Sequence, residues 1–178
     1  PDLQLSRIAF EFDVMANLDD DSGTDDPPFD QILGSVFDPL DPGKMYIYFE
    51  SGIIKQTMAG EQDWHLVLDP NTEVIMAIYV SPSTTSAYLG LLSGDIIVVN
   101  TDDGTVLHKY PAVCTGSCLA LDLESSEAFL AVGDSAGYVS LILPTSGELV
   151  TPTSKWLAHS APVRSVKILQ EVHGTFIL

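Results

Sequence analysis

Two pairs of glycines set the frame for this chain: Gly94 recurs at Gly137 and Gly104 at Gly147, each after the same step of 43 residues. The step is shared by other features. Phe37-Asp38-Pro39 returns as Val80-Ser81-Pro82 and, more loosely, as Leu123-Glu124-Ser125. Gly52 precedes Ile53-Ile54 much as Gly94 and Asp95 precede Ile96-Ile97. Self-similarity at a period between 20 and 50 residues means one supersecondary unit used several times, each copy burying its apolar face against the next.

Within a unit the apolar residues alternate, as in Met76, Ile78, Val80 or Leu119, Leu121, Leu123. That period of two places alternate side chains on one face of a half-buried strand. One unit reads as four strands, Val74 to Val80, Ala87 to Leu92, Asp95 to Asn100 and Thr105 to Tyr110, split by Ser81-Pro82-Ser83, Ser93-Gly94 and Asp102-Asp103-Gly104. The next reads as Cys118 to Leu123, Ala128 to Val132, Tyr138 to Leu143 and Glu148 to Val150. Every interruption carries turn residues, and the Asp-Asp-Gly and Thr-Ser-Gly triplets provide positive φ at hairpin tips. Four antiparallel strands repeating every 40–45 residues predict the blade of a β-propeller. The expected class is all-β, with an N-terminal strand and acidic insertion over 1–31 and blades over about 32–73, 74–116, 117–160 and, incomplete, 161–178.

From about residue 32 onward the chain resembles the WD-repeat β-propeller family. Ala158-His159-Ser160-Ala161-Pro162-Val163-Arg164-Ser165-Val166 is similar to the family's histidine-containing loop that leads into the first strand of a blade. Gly133-Asp134-Ser135-Ala136-Gly137 is similar to its tight turn between the second and third strands. The Trp-Asp pair that names the family is absent: Val99-Asn100 and Ile142-Leu143 stand where it would end a third strand. The resemblance implies that Asp134 closes its turn as a hydrogen-bond acceptor and that His159 is a hydrogen-bonding blade residue rather than a general base. It also implies a ring of about seven blades, which at 43 residues each needs about 300 residues against the 178 present. About four blades are therefore expected here, as part of a larger ring, with the apolar Gly174 to Leu178 run as the second strand of a further blade. The alternative is that the alternating Ile8, Phe10, Phe12 and Val14 form a strand that joins the last blade and closes a small ring.

Charge narrows the function. The chain carries 25 acids and 7 basic residues, a net charge of −18, on a composition that is 46% apolar. So much apolar content excludes disorder, and so few cations exclude general binding to nucleic acid or anionic membranes. The longest apolar run, Val74 to Val80, has seven residues, far short of the roughly 20 that cross a bilayer. Two cysteines, Cys114 and Cys118, are too few for a disulfide scaffold, which points to a reducing, intracellular compartment, cytoplasmic or nuclear.

Ten of the acids lie between Ile8 and Gly43, where there is no Lys or Arg. Asp19, Asp20, Asp21, Asp25 and Asp26 form the densest part. As a calcium loop this segment fails on spacing: with Asn17, Asp19 and Asp21 as the first ligands, the required glycine falls on Ser22 and the twelfth-position glutamate on Pro28. It reads as a solvated insertion or as an acidic contact for a basic partner.

No constellation for chemistry emerges. Cys114 and Cys118 have no further cysteine or close histidine to complete a zinc set. His65, His108, His159 and His173 are scattered, and a phosphate loop and a dinucleotide fingerprint are both missing. No metal and no cofactor are expected. Gly94, Gly104, Gly137 and Gly147 read as structural turn residues. Trp64 and Trp156 fall near the ends of fourth strands, where a large ring either covers the core or anchors a partner. The expected function is a non-catalytic platform that docks other protein subunits, with a basic partner surface, in a multi-protein complex. Two rivals stay open: a propeller enzyme with its site in blades beyond this chain, and a bacterial-type surface propeller suggested by Ile97-Val98-Val99-Asn100-Thr101 and Asp103-Gly104-Thr105-Val106.

Overall fold

The structure is a computed structural model and describes residues 31–151, 153–171 and 174–177. The alternating segment at Ile8 to Val14 and the acids Asp19, Asp20, Asp21, Asp25 and Asp26 lie outside the described residues. Three four-stranded sheets and one two-stranded sheet make up the fold, with no helix among the described residues. The first holds β1 (Ile32–Phe37), β2 (Lys44–Phe49), β3 (Gly52–Thr57) and β4 (Gln62–Val67). The second holds β5 (Ile75–Val80), β6 (Ser86–Leu91), β7 (Ile96–Asn100) and β8 (Val106–Tyr110). The third holds β9 (Cys118–Leu123), β10 (Leu130–Asp134), β11 (Tyr138–Ile142) and β12 (Lys155–Leu157), followed by the pair β13 (Ile168–Glu171) and β14 (Gly174–Ile177). Strands are laid down in chain order and every pairing is antiparallel.

The first turn of each sheet explains the Asp38, Ser81, Glu124 step. Asp38 Oδ1 accepts from the Leu40 and Asp41 amides at 2.9 and 3.3 Å. Ser81 Oγ accepts from the Ser83 and Thr84 amides at 3.1 and 3.0 Å. Glu124 Oε2 accepts from the Ser126 and Ala128 amides at 2.9 and 3.3 Å. Three different side chains do the same work because the turn needs only a short-range acceptor for amides that no strand partner reaches.

Sheets stack face to face, and the odd and even residues of a central strand face different neighbours. Ile97 and Val99 of β7 join Ile53, Trp64 and Leu89 in the core between the first two sheets. Ile96 and Val98 join Tyr110, Leu130 and Val132 in the core between the second and third. Ala131, Val139, Val166 and Ile168 continue the stack towards β13. This corrects the expectation of half-buried strands: β7 and β10 are buried on both faces, because a blade between two others has no solvent face. Their continuous apolar runs are the sequence mark of that burial. Exposure falls mainly on edge strands, as in β8, where Val106 to Lys109 are all exposed, and in β1, where Ile32, Leu33, Ser35 and Phe37 are.

A second correction concerns the fourth strand of the third sheet. It was expected at Glu148 to Val150 and is instead Lys155–Leu157, with Leu149 making only an isolated bridge to Ile142. Both segments bond to the same residue: the Val150 amide donates to the Leu141 carbonyl at 2.9 Å, and the Leu141 amide to the Ser154 carbonyl at 2.8 Å. The two segments are tied by the Thr151 amide, which donates to Ser154 Oγ at 3.1 Å. Val150 and Ser154 already take up both backbone groups of Leu141, so the ladder along β11 resumes only at Lys155.

Candidate interaction surface

Each central sheet junction is locked at both ends of its third strand, and the four glycines of the 43-residue step are the places where the locks close. At the end entered by the second-to-third-strand turn, Gly94 and Gly137 have φ of +86° and +92°. The Gly94 carbonyl accepts from the Cys114 amide at 3.0 Å, and the Gly137 carbonyl from the Ala158 and His159 amides at 2.9 and 3.1 Å. A Cβ on Gly94 would lie 2.6 Å from the Gly116 carbonyl oxygen, and one on Gly137 would strike that of His159. Gly116 and His159 are themselves one repeat apart, so the incoming loop crosses the turn at the same point in each blade.

Asp134 ties three segments together at this end. It is 2% exposed. Its Oδ1 accepts from the Ala136 and Tyr138 amides, both at 2.9 Å, and its Oδ2 from the Thr115 amide at 2.9 Å. Its carbonyl accepts from the Val163 amide at 2.9 Å. His159 is exposed, and its Nδ1 accepts from the Ala161 amide at 3.0 Å.

At the opposite end, a ring from one sheet lies over a glycine of the next. Gly104 and Gly147 have φ of +74° and +70°. A Cβ on Gly104 would sit 2.6 Å from the Trp64 ring, and one on Gly147 would strike the ring of Tyr110. The polar tip of each ring then reaches a carbonyl three residues before the glycine: Trp64 Nε1 donates to Thr101 O at 3.0 Å, and the Tyr110 hydroxyl to Pro144 O at 2.6 Å. Trp64 and Tyr110 are 8% and 7% exposed. The glycine spacing was visible in the sequence; the aromatic partners were not, because they are chemically different and step by 46 residues rather than 43.

A buried ion pair adds to the first junction. Lys55 Nζ lies 2.8 Å from Asp38 Oδ2 and donates to Thr101 O at 2.9 Å, while the Tyr46 hydroxyl donates to Asp38 Oδ2 at 2.9 Å. Burial alone would raise the Asp38 carboxyl, but Lys55, the Leu40 amide and the Tyr46 hydroxyl outweigh it and hold its pKa below the usual carboxylate value. Burial, then the Asp38 carboxylate, push the Tyr46 hydroxyl well up. At the last junction Asp122 accepts from Lys167 Nζ at 2.9 Å and from the Ile168 amide at 2.7 Å.

Cys114 and Cys118 are free, buried thiols, with Cys118 at the start of β9 and hydrogen-bonded to Cys114; that bond, and then burial, raise the Cys118 pKa well above its ordinary value. Among the described residues no group of three or more His, Cys, Asp or Glu could hold a metal ion. Trp156 stands apart from the other two outer-strand rings: it is 38% exposed. It borders a cleft of about 330 Å³ lined also by Val139, His159, Val163, Arg164 and Ile177.

No family model matches the chain, and no curated protein matches it. Its fold is similar to the structure of U3-55K and to the crystal structure of the RRP9 WD40 repeats, each at 13% identity, with a TM-score of 0.63 over 74% of this chain. The chain spans about two-fifths of the length of those proteins, 41% and 40% respectively. The consecutive four-stranded sheets thus share the propeller fold of those WD40 structures.

Proposed function

We propose that these WD-repeat-type blades act as a non-catalytic platform on which other protein subunits dock. The observation that carries the reading is the likeness of fold to the U3-55K and RRP9 WD40 structures. Sheets locked at both rims by Asp134, Gly94, Gly104, Gly137 and Gly147 support it, since a rigid frame presents loops without an ordering cost at the moment of binding. His159 then serves as a blade-loop residue and Trp156 as a partner contact. A reducing, intracellular compartment suits the two buried thiols.

A net charge of −18 favours a partner with a basic surface and disfavours nucleic acid. The acids Asp19, Asp20, Asp21, Asp25 and Asp26 are the proposed steering segment. The test is stopped-flow association with a partner identified by affinity purification. Changing those five aspartates to asparagine, or raising salt from about 0.05 to 0.5 M, is expected to slow association with little change in dissociation. Association unchanged by both would remove the acidic segment from the contact and the basic partner with it.

A further inference from the structure

The outer edges of the three four-stranded sheets can be compared position by position, because each meets its third strand in the same register. Gln62 stands opposite Gln56, Val106 opposite Val99 and Leu149 opposite Ile142, and these third-strand residues lie 43 apart. In all three the carbonyl just before, of Glu61, Thr105 or Glu148, accepts from the next third-strand amide, of Thr57, Asn100 or Leu143, at 2.8 Å. At this shared place the first sheet carries Gln62-Asp63, with Asp63 Oδ2 2.6 Å from Lys44 Nζ. The second carries Val106-Leu107 and the third Leu149-Val150, which are 49%, 44%, 38% and 38% exposed. Charged side chains are the ordinary guard of a sheet edge against further pairing. The first sheet has that guard at this place, and the next two put apolar side chains there instead.

Of the two unguarded edges, β8 is the continuous one. In the third sheet the edge is divided between Leu149 with Val150 and Lys155–Leu157, whereas β8 runs unbroken from Val106 to Tyr110. It belongs to the middle sheet, with a four-stranded sheet packed on either face, and its outer side pairs with no strand among the described residues. Charge narrows what fits it. Asp102 and Asp103 are exposed where β8 begins. At its far end Glu73 already holds Lys109, with Asp95 also acting on that lysine. The edge is therefore apolar at its start and acidic beyond both ends. A second copy of this chain would bring the same acids, and a net charge of −18, against them.

We propose that the outer edge of β8 is an acceptor for an extended partner segment with apolar residues at its centre and Lys or Arg at both ends. The segment adds as a fifth strand of the middle sheet, bonded main chain to main chain along the roughly 17 Å that five strand residues span. Its apolar side chains cover Val106 and Leu107, and its cations meet Asp102 and Asp103 at one end and Asp95 and Glu73 at the other. The proposal rests on the docking reading above and names the chemistry of one docked element.

The probe is a capped synthetic peptide, Lys-Lys-Val-Thr-Val-Thr-Lys-Lys, titrated into the full 178-residue chain labelled with ¹⁵N. The amide signals of Val106 to Lys109 are expected to shift saturably below about millimolar peptide. The Trp64 indole N–H, bonded to Thr101 O in the first junction, should stay in place and report an intact fold. Three changes are each expected to weaken binding at least about tenfold: Glu for every Lys of the peptide, N-methylation of its central amides, and Leu107→Lys in the chain, where an exposed side chain can change without loss of the core. Unshifted β8 signals overturn the proposal, as does equal binding in any of the three arms or a dimer of the chain, seen by sedimentation, that Leu107→Lys dissolves. If a partner found by affinity purification still binds Leu107→Lys at full strength, the docking platform stands and this edge alone falls.

Discussion

Gly60 and Gly147 share a backbone conformation but not surroundings. Their φ values are +89° and +70°, yet a Cβ on Gly60 would meet nothing within 4 Å while one on Gly147 would strike the Tyr110 ring. Gly60→Ala therefore isolates the cost of a left-handed residue, about 1 kcal/mol. Gly147→Ala adds the displaced ring and the lost bond to Pro144 O, a further cost of about 1–3 kcal/mol. Urea denaturation of both variants measures the difference; equal losses would show that the ring does not bear on the glycine. Lys55→Met strands the Asp38 carboxylate in the core and should cost about 3 kcal/mol at pH 7. The Asp38 pKa is lowered in the folded chain, so the stability it contributes is present above the unfolded carboxylate value and is lost as pH falls through the lower folded one. The gap between wild type and Lys55→Met should accordingly shrink below about pH 4, as denaturation curves at both pH values will show.

At the scale of strands, burial orders the expected opening. β6 and β7 are buried almost throughout, and their amides should exchange with solvent only in global unfolding. β8, exposed over Val106 to Lys109, and the three-residue β12 should exchange by fraying, faster by a factor of about 100 or more. Hydrogen exchange read by mass spectrometry on peptides from β7 and β8 tests the order, and equal protection would contradict it. The same division decides what could be read from the amino-acid order. The inner strands were legible because their apolar runs and the turns between them repeat at a fixed step. The outer edge was not: at Glu148 to Val150 the local pattern favours a strand, while ladder continuity with β11 is taken up by Lys155–Leu157. Of the candidate surface, Asp134, His159 and the glycines were visible as turn residues. The pairing of Gly104 with Trp64 and of Gly147 with Tyr110 was not, because it joins residues far apart in the chain that only the stacking of sheets brings together.

For the molecule as a whole, the described lysines are already engaged. Lys44 pairs with Asp63, Lys55 with Asp38, Lys109 with Glu73 and Lys167 with Asp122, while Lys155 donates to the Val113 carbonyl. With a net charge of −18 the remaining acids repel one another, so salt should stabilise the fold by screening repulsion more than it weakens exposed pairs. Raising sodium chloride from about 0.02 to 0.3 M should lift the calorimetric melting temperature by about 2–4 °C; a fall would mean that the ion pairs dominate. One buried feature also equips the chain with a clock. Cys118 is 0% exposed, packed where a Cβ on Gly90 would strike its sulfur, in the core shared by the second and third sheets. In a Cys114→Ala chain, a thiol reagent can modify Cys118 only when those sheets part. Under excess reagent the labelling rate counts partings per second, and under scarce reagent it gives the fraction of molecules parted at any instant. A docked partner that braces the blades would slow that clock without touching the sulfur.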